Sequence, residues 1–145
     1  MSTNILLLTL LLSFVSIGAA QDFRGYSIGS NFKDVERLGE SWQKLEGLSM
    51  TIQPKDSLLS QVVINLDKNG NIYNIMLTSI KGKEGCKSLL SYLTKNYEGY
   101  KKDIVGSCLD GALNKVLWVK ENIKLDYKES CNGEKQATVN IMKLQ

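Results

Sequence analysis

The chain has 145 residues, with 18 Lys plus Arg against 15 Asp plus Glu and no His. A net charge of +3 is too mild for a nucleic-acid binder, which concentrates Lys and Arg on one face. Without His there is no Ser-His-Asp or Cys-His nucleophilic system, no imidazole acid–base chemistry, and no His-ligated catalytic zinc.

From Asn4 to Ile17 the sequence is almost unbroken Leu, Ile, Val and Phe, and it ends in Gly18-Ala19-Ala20. Small residues at the last and third-last positions suit signal peptidase, so residues 1–20 are expected to be a cleaved signal peptide. The apolar run is shorter than the ~20 residues a transmembrane helix needs. No Cys follows the cleavage point, the first being Cys86, which argues against a lipid anchor. The expected product is residues 21–145, a soluble single domain in the periplasm or the medium, large enough to bury about two-thirds of its unfolded surface. No Asn in it begins an Asn-x-Ser/Thr sequon, which hints at bacterial export.

Phe23 to Ile28 reads as a strand closed by Gly29. Ser30 is placed to cap a helix from Asn31 to about Leu38, with Phe32, Val35 and Leu38 on one stripe and Gly39 as its stop. Trp42 and Leu45 either add a second helical turn or leave it open. Leu48 to Gln53 looks extended, and Pro54-Lys55-Asp56 turns the chain. Gln61 to Leu66 alternates, and Asp67-Lys68-Asn69-Gly70-Asn71 leads to a return strand from Ile72 to about Ile80. Asn-Gly tolerates positive φ, so this is a hairpin turn. It is not a twelve-residue calcium loop, whose sixth and twelfth positions fall on Ile72 and Thr78 instead of Gly and an acid.

Lys81 to Gly85 is a polar loop. Cys86, Leu89, Leu90, Leu93 and Tyr97 then share one stripe of a second helix. Residues 101–114 read as loop. Lys115 to Lys120, Asn122 to Glu129 and Gln136 to Leu144 read as closing strands with one apolar and one polar side, the pattern of an antiparallel sheet. The expected fold class is α+β: an antiparallel sheet with two helices packed on one face, in two similar α-β-β-β halves.

Three cysteines in an oxidising compartment predict one bridge and one leftover thiol. A turn near Glu121 brings Cys108 and Cys131 to the same end of two strands. That pairing is favoured over a Cys86–Cys108 bridge or a reactive Cys86. Three Cys without His or C-x-x-C spacing do not compose a metal site, and no cofactor is expected. Asp34 and Glu36 lie where acids meet a helix dipole, and Asp126 and Glu129 are read on a strand's wet side, so no catalytic pair is assigned. The lysines of the closing strands, including Lys120, Lys124 and Lys128, together with Trp118 and Tyr73, form the candidate interface for a protein partner. A solvated sheet face with Lys guarding its edges is the plainer explanation of those lysines.

The stretch from Gly25 through Val35, followed by Leu38-Gly39, resembles the opening of small outer-membrane-assembly lipoproteins of the SmpA/OmlA type and of the β-lactamase inhibitory protein fold. The chain departs from that pattern in lacking a lipid-carrying Cys and in having Ser30 where Met is usual. The resemblance implies helices packed on an antiparallel sheet, a role in binding other proteins, and no catalytic residues. Together these readings predict an exported, non-catalytic protein-binding module, most sharply an inhibitor or immunity protein. The alternatives are a binder of small ligands or envelope polymers, and an envelope-assembly adaptor. Neither a nucleic-acid partner nor a stable membrane anchor is expected.

Overall fold

The computed structural model describes residues 22–36, 40–109, 111, 113–131 and 136–145. The expected signal peptide, Leu38 and the Gly39 stop lie outside them. Among the described residues no helix is long and apolar enough to cross a membrane.

The chain opens with a small hairpin, β1 (Asp22–Phe23) and β2 (Tyr26–Ser27), where one continuous strand was expected. Arg24 and Gly25 both have positive φ, 51° and 90°, and so reverse the chain between them. Helix α1 is only Phe32–Val35. Its cap is Asn31, not the expected Ser30: the Asn31 side chain accepts from the Lys33 N–H at 3.2 Å. The segment before it lies along the 67–72 turn. There Gly29 N–H donates to Ile72 C=O at 2.7 Å and Phe32 N–H to Gly70 C=O at 2.9 Å.

β3 (Gln43–Lys44), β4 (Ser49–Ile52), β5 (Leu59–Leu66) and β6 (Ile72–Ser79) form an antiparallel meander. The β5–β6 turn is the one expected: Asp67 Oδ1 accepts from the N–H groups of Asn69 and Asn71 at 2.8 and 2.9 Å, and Gly70 has φ 81°. Helix α2 (Lys83–Asn96) follows, and then a second meander of β7 (Lys101–Gly106), β8 (Leu113–Lys120), β9 (Ile123–Ser130) and β10 (Ala137–Lys143). β6 and β10 pair antiparallel, joining the meanders into one eight-stranded sheet of order β3-β4-β5-β6-β10-β9-β8-β7.

The balanced α+β architecture and its α-β-β-β halves are therefore corrected. α1 has 4 residues and α2 has 14, so the fold is dominated by its sheet. Each helix is followed by four strands, and the extra ones are β3 and β7. Trp42 was a candidate for a helical turn. Its indole instead packs edge-on against Tyr26 and Phe32, with ring centroids 5.4 Å away in both cases. Gln43 and Lys44 are thereby delivered to β4, and pairing outweighs helix propensity. β7 carries no burial pattern, since Lys101 to Val105 are all exposed. Its ladder to β8 alone makes it a strand.

Residues opposed across the ladders share a face, so the register defines two. The covered face holds Val62, Ile64, Leu77, Ile75, Val139, Ile141, Tyr127, Leu125, Val116 and Trp118. α2 packs across β6 and β10 at its centre, burying Cys86, Leu89 and Leu93. Gly85 permits that close approach: a Cβ there would sit 2.0 Å from the Ile80 carbonyl oxygen.

Candidate functional site

Among the described residues no helix covers the second face of the sheet. Its rows run Ser49–Asn65–Asn74–Met142–Lys124–Val119 and Thr51–Val63–Met76–Asn140–Asp126–Leu117 across the strands. Towards β5 and β6 this face is tied by side-chain amides. Ser49 Oγ donates to Asn65 at 2.6 Å, Asn65 Nδ2 to Asn74 at 2.7 Å, and Asn74 Nδ2 to Asn140 at 3.4 Å. A polar chain of this kind satisfies half-buried groups and pins the strand register. Towards β8 and β9 the composition changes to Lys115, Lys124 and Lys128 interleaved with Leu117 and Val119. Lys128 Nζ lies 3.6 Å from an Asp126 oxygen.

The predicted interface residues do not form one surface. Lys124 and Lys128 stand on the open face beside Lys115. Trp118 points the other way and is 1% exposed, a core side chain beneath the Lys102 ammonium at 5.6 Å from its ring centre. The alternation of β8 puts it there: Val116 and Trp118 sit opposite Tyr127 and Leu125. Lys120 is exposed at the end of β8, its ammonium 5.8 Å from the Tyr100 ring. Tyr73 is 56% exposed, at the bulge where the β5–β6 register slips between Ile72 and Asn74.

Cys108 and Cys131 form a disulfide, and Cys86 is a buried thiol. The β8–β9 turn at Glu121, with φ 52°, and the pairing of Leu113 with Ser130 bring both half-cystines to one end of the strands, as the spacing implied. Glu129 does not stand on the wet side. It is buried on the covered face, where its Oε2 accepts from the Tyr127 hydroxyl at 3.0 Å and from Asn114 Nδ2 at 3.2 Å. Burial, reinforced by the Glu129 carboxylate, pushes the Tyr127 phenol far above its usual range, so it stays protonated and remains a donor. Asn114 Oδ1 in turn accepts from the Cys108 N–H at 2.7 Å, which links this buried carboxylate to the disulfide.

Sequence reasoning missed a cleft of about 610 Å³ at the β3 end of the sheet. The β1–β2 hairpin, residues 40–43, the ends of β4 and β5 and residues 53–56 line it. Two carboxylates border it, and both are engaged. Glu40 accepts from the Tyr26 hydroxyl and, at 2.8 Å, from Trp42 Nε1. Asp56 pairs with Arg24 and takes the N–H groups of Leu58 and Leu59 at 2.8 and 2.9 Å. Burial works to raise the Asp56 pKa, but the Leu59 N–H, the Arg24 side chain and the Leu58 N–H together hold it below the usual carboxylate value. Asp56 is thus an anchor that stays ionised, unsuited to general-acid work. Glu40 and Asp56 lie 16 positions apart in sequence, and no local spacing marks them as neighbours. Among the described residues no group of three or more His, Cys, Asp or Glu is placed to hold a metal ion.

The fold and its site define a class: a disulfide-bonded antiparallel sheet with one face packed by a helix and one left open. Comparison with protein-family models, curated proteins and solved structures finds no match for this chain.

Proposed function

We propose that the chain is an exported, non-catalytic protein-binding module of the inhibitor or immunity type, which takes an acidic partner protein on the open face of its sheet. The observation that carries this reading is the β8–β9–β10 half of that face. Lys115, Lys124 and Lys128 stand beside Leu117, Val119 and Met142, and among the described residues no helix packs over them. Apolar side chains set among lysines that outnumber the carboxylates beside them, Asp103 and Asp126, suit an interface, where burial supplies affinity and complementary charge supplies register and rate. Rigidity supports the same reading. The disulfide closes the end of β8 and β9, the amide chain fixes β4 to β10, and a preorganised surface loses little entropy on binding. The resemblance of the opening segment to families that bind other proteins points the same way.

The test places a photocrosslinking residue at position 117 and, as a control, at Ser88 on the exposed side of α2. Both proteins are exposed to the envelope and secreted fractions of the source. A partner is expected to be captured from position 117 and not from 88, with capture lost when Lys115, Lys124 and Lys128 are changed together to Glu. Equal capture from both positions, or capture indifferent to the three Glu substitutions in a folded protein, overturns the proposal.

A further inference from the structure

We propose that the cleft at the β3 end binds a neutral oligosaccharide, a second site at the opposite end of the sheet from the Lys115, Lys124 and Lys128 patch. Its volume, about 610 Å³, is in the range of small-ligand sites and has room for a short saccharide. The charges that line it cancel. Arg24 and Lys55 offset Glu40 and Asp56, Arg24 and Asp56 are already paired, and Glu40 is held by Tyr26 and Trp42. An ionic ligand would have to compete with pairs that are already made, whereas a neutral one leaves them intact.

What the cleft offers instead is bifunctional hydrogen bonding. The side chains of Gln43, Gln53 and Gln61 line it, and each amide carries an acceptor oxygen beside two donor hydrogens. A sugar hydroxyl also donates and accepts, so adjacent hydroxyls are matched by such amides where a purely anionic or cationic wall matches only half of each group. Gln61 Nε2 is already oriented, donating to Thr51 Oγ1 at 3.1 Å. Gln43 and Gln53 are exposed and line the same cleft. The apolar partner is Trp42, half-buried with its Nε1–H fixed on Glu40 at 2.8 Å and on the Tyr26 hydroxyl at 3.0 Å. A fixed indole offers an apolar surface to the C–H groups of a sugar ring, whose positive edges suit the negative aromatic face. The walls are fixed by hydrogen bonds, Tyr26 to Glu40 and Arg24 to Asp56, so the site exists before its ligand arrives.

The test titrates the disulfide-bonded protein calorimetrically, and by tryptophan emission, with trisaccharides of glucose, xylose, mannose and N-acetylglucosamine. At least one is expected to bind saturably in the millimolar range or tighter and to shift the emission of Trp42. Changing Gln43 and Gln53 together to Ala is expected to weaken that binding about tenfold or more, since both amides lose their hydrogen bonds to the sugar hydroxyls. Both side chains are exposed, so the circular dichroism and melting temperature of the variant should match the parent. The proposal is overturned if no neutral trisaccharide binds at millimolar concentration, or if binding is the same in the double variant. It is equally overturned if a sulfated oligosaccharide or an acidic peptide binds the cleft and the neutral sugars do not. Loss of binding here leaves crosslinking at position 117 unaffected, so this proposal and the open-face interface fail separately.

Discussion

On β9 the side chains of Ile123, Leu125 and Tyr127 are completely buried beneath the helix layer. Their immediate neighbours Lys124, Asp126 and Lys128 are only half-buried, on the side away from α2. The same comparison holds on β8, where Val116 and Trp118 go under and Leu117 and Val119 stay on the open side. One backbone thus serves two different ends. The covered face encloses close-packed side chains whose volumes must match. The open face is shaped by polar satisfaction, through amides towards β5 and charges towards β8. Stability should therefore reside on one side of each strand, and recognition on the other.

The largest expected effect is on the covered face. Trp118→Ala should lose about 3–5 kcal/mol in a denaturant titration, the usual cost of emptying a buried aromatic site. Leu117→Ala, one residue along on the open face, should lose about 1 kcal/mol or less. Comparable losses at the two positions would break the distinction between the faces. Replacing Cys108 and Cys131 together by Ser should lower stability by about 3 kcal/mol, because an open chain recovers the entropy of a loop spanning 23 positions. The melting temperature of that variant should be insensitive to reducing agent, whereas the parent's should fall. Gly85→Ala should cost about 1–3 kcal/mol, since its Cβ meets the Ile80 carbonyl and α2 must shift off the sheet. Gly99 lies at the other end of that helix, where a Cβ would meet only the end of the Lys120 side chain at 3.7 Å, so Gly99→Ala should be nearly neutral.

The smallest effect is a pH dependence at the cleft. Asp56 has a folded pKa below its ordinary value of 3.8. It therefore binds fewer protons folded than unfolded as the pH falls through the acid range. The stabilisation it provides is complete above the ordinary carboxylate pKa and is lost as pH falls through the lower folded value. A series of melting temperatures across acid pH should show this decline, and Asp56→Asn should flatten part of it while lowering stability at neutral pH. A parent and variant with parallel curves would show that folding does not favour the ionised form of Asp56.

Much of the sheet was legible because alternation is a local property. Val62, Ile64 and Leu66 announce a strand, Asn69-Gly70 announces its turn, and Ile123, Leu125 and Tyr127 separate a wet side from a dry one before any partner strand is known. The helical stripe of Cys86, Leu89, Leu93 and Tyr97 was equally plain, and its start at Lys83 differs from the expected Cys86 by one turn of polar residues. What escaped was structure made only by neighbours. β7 has no pattern of its own, since an edge strand exposed along its length need not alternate. β3 follows from where the Trp42 indole is held.

The amino-acid sequence by itself determined which residues alternate and where the β5–β6 and β8–β9 turns fall, and it favoured the Cys108–Cys131 pair. Each of these depends on spacing or on the φ preference of one or two residues. Only the tertiary structure decided that both meanders join through β6 and β10, that Trp118 and Glu129 face inwards, and that Arg24, Glu40, Trp42 and Asp56 surround one cleft. Those outcomes depend on which strands pair and which side of the sheet α2 covers. Such choices bring together residues tens of positions apart, and no local signal along the chain records them.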